Sequence, residues 1–278
     1  MPKYSDLMKE AHELRQTPYA DLFSYDDAAV VITGGAKGIG HAIADRFAEL
    51  GATVTLVDLD PDVEAVASQL AERRGTEVLG VRGDVTDSAL SERVADAAFG
   101  SASRMIWVNS AGIYPTNRIE DMGDDDWSRV LDLDLTATFY GCRAAGLAMR
   151  AQEGDGVIVN ISSIAGFRVC NPPGISHYAT AKHGVHGLTK SLAFEFGRDG
   201  VRVVCIAPGT VVTEGLLEKF GGDEFDDDGP YARLAARMPI QRASLPDDVA
   251  RTAVFLASPA AAMITGAIVP VDAGHLVL

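Results

Sequence analysis

The chain has 278 residues, of which 47% are hydrophobic and 23% charged, values ordinary for one large globular domain. Its 24 basic and 39 acidic residues give a formal net charge of −15, so we expect it to bind neither nucleic acid nor an anionic membrane. The three cysteines are widely spaced and form no Cys-x-x-Cys pair, which argues against a disulfide framework or a zinc site and fits a reducing cytoplasm. The first residues lack an apolar signal core, and no apolar run is long enough to cross a bilayer.

Residues 1–27 precede the first predicted strand and form an N-terminal extension. Apolar residues at helical spacing predict a short amphipathic helix, which ends before Pro18: Leu7, Met8, Ala11 and Leu14. We expect the extension to pack either on the rest of the chain or on a neighbouring subunit.

A strand, a glycine-rich turn and a helix follow in that order. Residues 29–33 are small or β-branched and predict a buried strand, and residues 41–50 have helical apolar spacing. Between them, Gly34 permits a tight turn, Gly38 a close backbone approach and Gly40 close helix packing. Backbone N–H groups and a helix N-terminus at such a turn can bind a phosphate. An ordinary strand–turn–helix connection is the alternative for this motif alone.

The pair Tyr178 and Lys182 is the strongest chemical feature of the sequence. The two residues are four positions apart, so they share one helical face. A phenol with a reference pKa of about 10 is a poor base at neutral pH, but an adjacent ammonium lowers that pKa. The pair follows the glycine-rich turn and the strand end Ser162-Ser163. In this order a catalytic pair is favoured over an ordinary surface pair.

These motifs resemble those of the short-chain dehydrogenase/reductase family. The resemblance covers about residues 28–278 and includes Thr33 before the glycine turn and a closing motif ending at Gly274. It implies a single doubly wound Rossmann-type α/β domain that binds a dinucleotide, with about seven parallel strands and helices on both faces. The reaction it implies is reversible hydride transfer between a nicotinamide cofactor and an alcohol or ketone. Homodimers or homotetramers are usual in the family.

The resemblance also assigns cofactor-binding positions, most of them where strands end. They are Gly34, Gly38, Ile39, Gly40, Asp58, Asp84, Val85, Asn109, Ala111, Gly112, Tyr178, Lys182, Pro208, Gly209, Val211 and Thr213. For Asp84, a turn or helix-capping role is the alternative. Asp58 ends the second strand, where a carboxylate accepts hydrogen bonds from ribose hydroxyls and repels a 2′-phosphate, so we expect NAD. Lys37 points towards NADP, because a basic residue there accompanies NADP in part of the family.

The implied catalytic roles fall on four residues. Tyr178 is the general acid/base, Lys182 lowers its pKa and holds the ribose, and Ser163 rather than Ser162 positions the substrate oxygen. The fourth position commonly holds asparagine, whose bound water relays protons to the lysine, but here it is Asp134. An aspartate can pair with a lysine ammonium. We therefore hypothesise that the relay survives in altered form, with Asp134→Asn as its test.

Residues 213–242 correspond to the family's mobile substrate lid. Four apolar residues of this segment favour an apolar substrate: Leu216, Leu217, Phe220 and Phe225. We expect the acidic run 226–228 to be solvated. Conversely, Ser163 and Tyr178 are 15 positions apart, which is longer than usual, and this spacing with residues 169–173 resembles the sugar-alcohol dehydrogenase branch.

Three substrate and function hypotheses follow. The first is an NAD-dependent dehydrogenase of a secondary alcohol, either a polyol or a cyclic alcohol. The second is a reductase of a bulkier ketone, such as a steroid or terpenoid. The third, a dinucleotide-binding regulator without turnover, is favoured only by Asp134.

Histidines add little to this interpretation. His183 and His186 have a spacing that two metal ligands could use, but no acidic residue or cysteine is placed to complete a site, and we expect no metal. His177 either borders the substrate or is an ordinary loop histidine.

Overall fold

Seven strands form one parallel sheet in the order β3-β2-β1-β4-β5-β6-β7. The computed structural model describes residues 4–100, 102–152, 155–168, 173–220 and 226–278. The strands are β1 (Ala28–Thr33), β2 (Thr53–Asp58), β3 (Val78–Arg82), β4 (Arg104–Asn109), β5 (Asp155–Ile161), β6 (Val201–Pro208) and β7 (Ile268–Val271). The order reverses between β1 and β4, and ligands of doubly wound folds bind at this kind of switch point. The predicted fold class is confirmed.

Helices cover both faces of the sheet, so the five central strands, β2, β1, β4, β5 and β6, are largely buried on both sides. They are α1 (Tyr4–Leu14), α2 (Gly38–Glu49), α3 (Val63–Arg74), α4 (Ser88–Phe99), α5 (Asp124–Leu131), α6 (Ala137–Gln152), α7 (Ser176–Phe196), α8 (Glu214–Phe220), α9 (Pro230–Ala235) and α10 (Pro246–Ala257). Alternate residues of β1 enter opposite layers: Val30 and Ile32 pack in the layer with α2, α3 and α10, and Val31 packs in the layer with α4, α6 and α7. These layers fix the strand ends at which the site lies.

Several element boundaries differ from the predictions. The sequence predicts a helix over residues 60–74, with Pro61 in its first turn, but α3 begins at Val63, because the Asp60 carboxylate accepts a hydrogen bond from the Asp62 N–H (2.9 Å) and stabilises a turn there. The acidic residues from Asp124 predict the start of one long helix, which a π-helical turn, Asp132–Thr136, interrupts. Residues 167–177 are predicted to be irregular, but α7 begins within them, at Ser176.

The end of the predicted N-terminal extension is joined to the sheet-bearing part of the chain. The Tyr25 ring is fully buried and packs edge-to-face on Phe47 at 5.0 Å between centroids. Its hydroxyl donates to the Val254 carbonyl (2.6 Å). Burial raises the pKa of this phenol, so Tyr25 stays neutral at physiological pH. The predicted helix is present as α1 and precedes Pro18.

Candidate active site

A cleft of about 1110 Å³ lies at the carboxyl ends of β1, β2, β3 and β4. Ten of the predicted cofactor positions line it: Gly34, Gly38, Ile39, Gly40, Asp58, Asp84, Val85, Ala111, Gly112 and Thr213. Asn109, Pro208, Gly209, Val211, Tyr178 and Lys182 do not line it, nor do Ser163 and Asp134. Ile161 and Ile113 line it and contact the catalytic candidates, as described below.

The glycine turn is closed by contacts that leave no room for side chains. Gly34 has a φ of +66°, and its N–H donates to the Val57 carbonyl (2.8 Å). A Cβ at Gly34 would lie 2.7 Å from the Ala111 Cα, and one at Gly40 would lie 2.1 Å from the Gly34 carbonyl oxygen. Helix α2 begins at Gly38, so its N-terminus faces the cleft. This arrangement suits an anionic phosphate group.

Thr33 joins the ends of the two strands that flank the switch point. Its Oγ1 accepts from the backbone N–H groups of Ser110 (3.1 Å) and Ala111 (3.3 Å). The turn after β4 therefore stays close to the glycine turn, and Ala111 and Gly112 form one wall of the cleft.

Asp58 lies in the cleft at the end of β2. Its Oδ2 accepts from the Ala36 N–H (3.0 Å) and its Oδ1 from the Asp60 N–H (3.0 Å). These bonds hold the carboxylate in place. Lys37, which is highly exposed, forms an ion pair with Asp60 (Nζ–Oδ2 2.7 Å), and this hydrogen bond raises the pKa of Lys37.

Asp84 and Val85 reach the cleft in different ways. Asp84 Oδ1 accepts from both the N–H (2.9 Å) and the hydroxyl (2.7 Å) of Thr86, so the carboxylate also has the turn-forming role given as its alternative. Val85 is buried among the apolar residues around α4.

Asn109 uses its side chain inside the protein. Its Oδ1 accepts from the Trp107 indole (2.8 Å), and its Nδ2 donates to Asn160 Oδ1 (2.8 Å). Asn160 in turn donates to the Thr189 hydroxyl (3.0 Å), and Asn109 and Asn160 are register partners on β4 and β5. These side-chain hydrogen bonds join the centre of the sheet to α7, and Asn109 itself does not line the cleft.

The other predicted cofactor turn follows β6. Pro208 ends that strand, and the Gly209 N–H donates to the Val271 carbonyl (3.0 Å). Val211 is buried in the core. Thr213 faces the cleft, and its Oγ1 accepts from the Leu216 N–H (3.2 Å) at the start of α8.

Tyr178 and Lys182 lie one turn apart on α7, as predicted. Lys182 Nζ is 5.4 Å from the centre of the Tyr178 ring and 3.4 Å from the Ile161 carbonyl oxygen, to which it donates. The two adjacent serines face different ways. Ser162 is buried and its Oγ donates to the Lys182 carbonyl (3.2 Å), whereas Ser163 is partly exposed and its Oγ accepts from the Ala165 N–H (3.1 Å).

Asp134 lies in the π-helical turn and is fully buried. Its Oδ1 is 3.0 Å from Lys182 Nζ, and its Oδ2 accepts from the Ile113 N–H (3.3 Å). Burial alone would lower the pKa of Lys182, but the charge of Asp134 and the nearby Tyr178 outweigh it and raise that pKa above its ordinary value. Lys182 is therefore a permanent cation next to Ile161, which lines the cleft.

Tyr114 was not identified from the sequence. Its ring packs edge-to-face on Tyr178, with 4.7 Å between centroids, so it borders the candidate acid/base. The one sequence feature that indicates Tyr114 is its position two residues after Gly112, in the turn that follows β4.

The lid region contains two short helices, α8 and α9, joined to each other by a hydrogen bond from the Tyr231 hydroxyl to the Leu216 carbonyl (3.3 Å). Leu216 and Leu217 are half-buried, and the acidic run 226–228 is exposed as predicted. Part of the lid and the segment after Arg168 lie outside the described residues: the side chain of Phe220, the residues Gly221, Gly222 and Phe225, and residues 169–172.

The histidines do not come together as ligands. His183 is exposed, and His186 is buried against Phe167 with 4.6 Å between ring centroids. Among residues the structure describes, no three potential ligands form a metal-binding group. His177 is buried in the first turn of α7, where its Nδ1 accepts from the Tyr178 N–H (2.8 Å).

Comparison with known proteins places the chain in a family. A family model described as Enoyl-(Acyl carrier protein) reductase matches residues 34–275. The D-threitol dehydrogenase of Mycolicibacterium smegmatis is 39% identical over 257 residues, which are 92% of this chain and 95% of that protein. The 3beta-hydroxysteroid dehydrogenase 1 of Eggerthella lenta is 36% identical, over 90% of this chain and 95% of that protein.

A solved structure from Beutenbergia cavernae gives the same result. It has a TM-score of 0.82 and 34% identity, and the match covers 92% of this chain and 99% of that chain. That protein is provisionally described as an NAD(P)-dependent gluconate 5-dehydrogenase, with NADP bound at low occupancy. The chain belongs to the short-chain dehydrogenase/reductase family. It is an oxidoreductase that interconverts a secondary alcohol and a ketone, with a nicotinamide dinucleotide as its cofactor. In the part of the chain that is described, no helix is long and apolar enough to span a membrane.

Proposed function

We propose that the protein is an NAD-dependent dehydrogenase of a polyhydroxylated secondary alcohol, with Tyr178 as its general acid/base. The observation that carries the proposal is the placement of Lys182 beside Tyr178 (5.4 Å from Nζ to the ring centre) and against Ile161, a residue that lines the cleft at the strand ends. This arrangement disfavours a regulator without turnover, because a binding protein has no need of a buried lysine beside a tyrosine.

The charges around the cleft support NAD over NADP. Asp58 is held by two backbone N–H groups where a 2′-phosphate would approach, and a carboxylate at close range repels that group. Lys37 is the basic residue that favours NADP, but it is already paired with Asp60. Seven carboxylates and two basic side chains line the cleft, so its field disfavours the additional phosphate charge.

The residues around Tyr178 define a proton-transfer step. The bound nicotinamide supplies the hydride acceptor or donor. In the oxidation direction Tyr178 takes the hydroxyl proton of the substrate, and the Lys182 cation favours the phenolate that this requires. Ser163 orients the substrate oxygen, because its hydroxyl is partly exposed while that of Ser162 is buried against the Lys182 carbonyl.

A polyol is the substrate class that the relatives favour, since one oxidises D-threitol and another is described for gluconate. Polar groups near Tyr178 fit this class. Asn117 Oδ1 lies 3.5 Å from His177 Nε2, and the backbone N–H of Asn117 donates to the Gly174 carbonyl (2.9 Å). These contacts place the Asn117 side chain beside the first turn of α7.

An apolar secondary alcohol, such as a steroid, is the second candidate. The half-buried Leu216 and Leu217 of α8 and the similarity to a steroid dehydrogenase favour it. We further propose that the protein works as a dimer or tetramer in a reducing cytoplasm, which suits the free, buried Cys142 and Cys205.

The test is the formation of reduced nicotinamide by the purified protein, with NAD or NADP, across polyols, cyclic alcohols and steroid alcohols. We expect reduction of NAD with polyols. Turnover confined to steroid alcohols would select the second candidate, and preference for NADP would contradict the role given to Asp58.

A further inference from the structure

The buried pair of Asp134 and Lys182 gives this chain a feature that the usual asparagine would not. Its two charged atoms lie 3.0 Å apart, and the two side chains are almost entirely inaccessible to solvent. Asp134 Oδ1 also lies 2.5 Å from where a Cβ of Gly112 would be, so the wall of the cofactor cleft packs directly on the carboxylate. The pair is therefore fixed from the cofactor side and from α7.

Asp134 is held in a way that suits a counter-ion better than a proton relay. One oxygen contacts the Lys182 ammonium, and the other accepts from the Ile113 N–H (3.3 Å). Its backbone carbonyl accepts from the Thr138 hydroxyl (3.3 Å). Because Oδ1 is in ion-pair contact with the ammonium and Oδ2 accepts a hydrogen bond, a negative charge is stabilised at this point.

The other titratable groups near Lys182 and Tyr178 are uncharged at neutral pH. Burial raises the pKa of Cys205 to about 12, so its thiol stays protonated. Burial lowers the pKa of His186 to about 4 and also lowers that of His177, so both rings stay neutral. The titratable groups that face Lys182 or Tyr178 from the packed elements are Asp134, Cys205, His177, His186 and Tyr114. Among these described neighbours, Asp134 carries the charge.

We propose that Asp134 is a positioning residue, which holds Lys182 as a fixed counter-ion and keeps Tyr178 protonated to higher pH than a neutral amide would. The inference rests on the proposed role of Tyr178 as acid/base. An ammonium beside a carboxylate presents little net charge to the phenol, so its effect on the phenolate is partly cancelled. The protein is thereby biased towards the protonated phenol, which is the form that donates a proton during ketone reduction.

The first experiment uses no substrate. Phenolate absorbance is titrated in wild type and in Asp134→Asn, and the Tyr178 signal is isolated by subtracting the same titration of the matching Tyr178→Phe variant. The midpoint of the Tyr178 titration should lie about one pH unit lower in Asp134→Asn, because removing one nearby unit charge in a partly buried site shifts a pKa by about that amount. An unchanged or higher midpoint would overturn the proposal.

One further measurement and two further variants test the same inference. The pH at which alcohol oxidation reaches half its maximal kcat should move down by a similar amount in Asp134→Asn. Asp124→Asn removes the same charge from an exposed site on α5 and should leave both midpoints unchanged. If Asp134→Asn does not fold, Asp134→Ser tests the same direction. Because the absorbance titration needs no turnover, absence of any activity with alcohols would count against the proposed function and not against this inference.

Discussion

The Asp58 carboxylate accepts a hydrogen bond from the backbone N–H of Ala36, at 3.0 Å, so the end of β2 is tied to the glycine turn after β1. The same carboxylate lines the cleft. The carboxylate that we propose selects NAD is thus tied to the turn that we propose binds the cofactor phosphates.

Replacing Asp58 by alanine should weaken the preference for NAD. Loss of the carboxylate removes the repulsion of a 2′-phosphate and the acceptors for ribose hydroxyls. The ratio of kcat/KM for NAD to that for NADP should fall at least about tenfold, which corresponds to about 1.4 kcal/mol. Asp62→Asn, an exposed neighbour outside the cleft, is the matched control and should leave the ratio unchanged. An unaltered ratio in Asp58→Ala would contradict the assignment.

The adjacent serines offer a paired test of the substrate-positioning role. Ser163→Ala should lower kcat about 100-fold, the usual effect of removing one donor to a reacting oxygen. Ser162→Ala should lose about 1 kcal/mol of unfolding free energy through its buried hydrogen bond, with a much smaller effect on kcat. Steady-state kinetics measures kcat for both variants, and denaturant unfolding measures their stability. A large loss of kcat in Ser162→Ala with little change in Ser163→Ala would assign substrate positioning to Ser162 instead.

Gly40→Ala should disrupt the cofactor turn. Its Cβ would lie 2.1 Å from the Gly34 carbonyl oxygen, so the helix must move away from the strand, at a cost of about 3 kcal/mol or more. Gly187→Ala is the control, because its added Cβ in α7 has no atom within 4 Å apart from the adjoining residues and the backbone of its own helix, and it should be neutral or stabilising. Calorimetric cofactor binding and thermal unfolding distinguish them. Equal behaviour of the two variants would show that the close contact is unimportant.

His186 should make the protein sensitive to mild acid. Its folded-state pKa is lowered to about 4, whereas the unfolded chain takes up a proton near the ordinary value of 6.5. Stability from this group is therefore present above about pH 6.5 and is lost as the pH falls towards 4. By pH 5 the loss should be about 2 kcal/mol. Denaturant unfolding at pH 7 and pH 5 should show a smaller difference in His186→Leu than in wild type. An identical difference would remove His186 as its source.

Features set by local spacing could be predicted from the sequence. The strand, glycine turn and helix at residues 29–50 follow from apolar periodicity, and the shared face of Tyr178 and Lys182 follows from helical geometry. The choice of Ser163 over Ser162 agrees with their different exposure.

Features set by contacts between distant segments could not. The π-helical turn that directs Asp134 at Lys182 has no local pattern and depends on packing between α7 and the turn after β4. The Asn109–Asn160 hydrogen bond requires the register of β4 and β5. Tyr114 likewise borders Tyr178 through tertiary packing.

The proton-transfer role of Tyr178 is tested by comparing wild type with Tyr178→Phe. Both are assayed for NAD reduction with a polyol that wild type oxidises, while calorimetry measures NAD binding by each. In Tyr178→Phe, kcat should fall by at least about 1,000-fold, because the general base is lost, while NAD affinity should change less than about threefold. Turnover within tenfold of wild type, with NAD still bound, would show that Tyr178 does not transfer the proton.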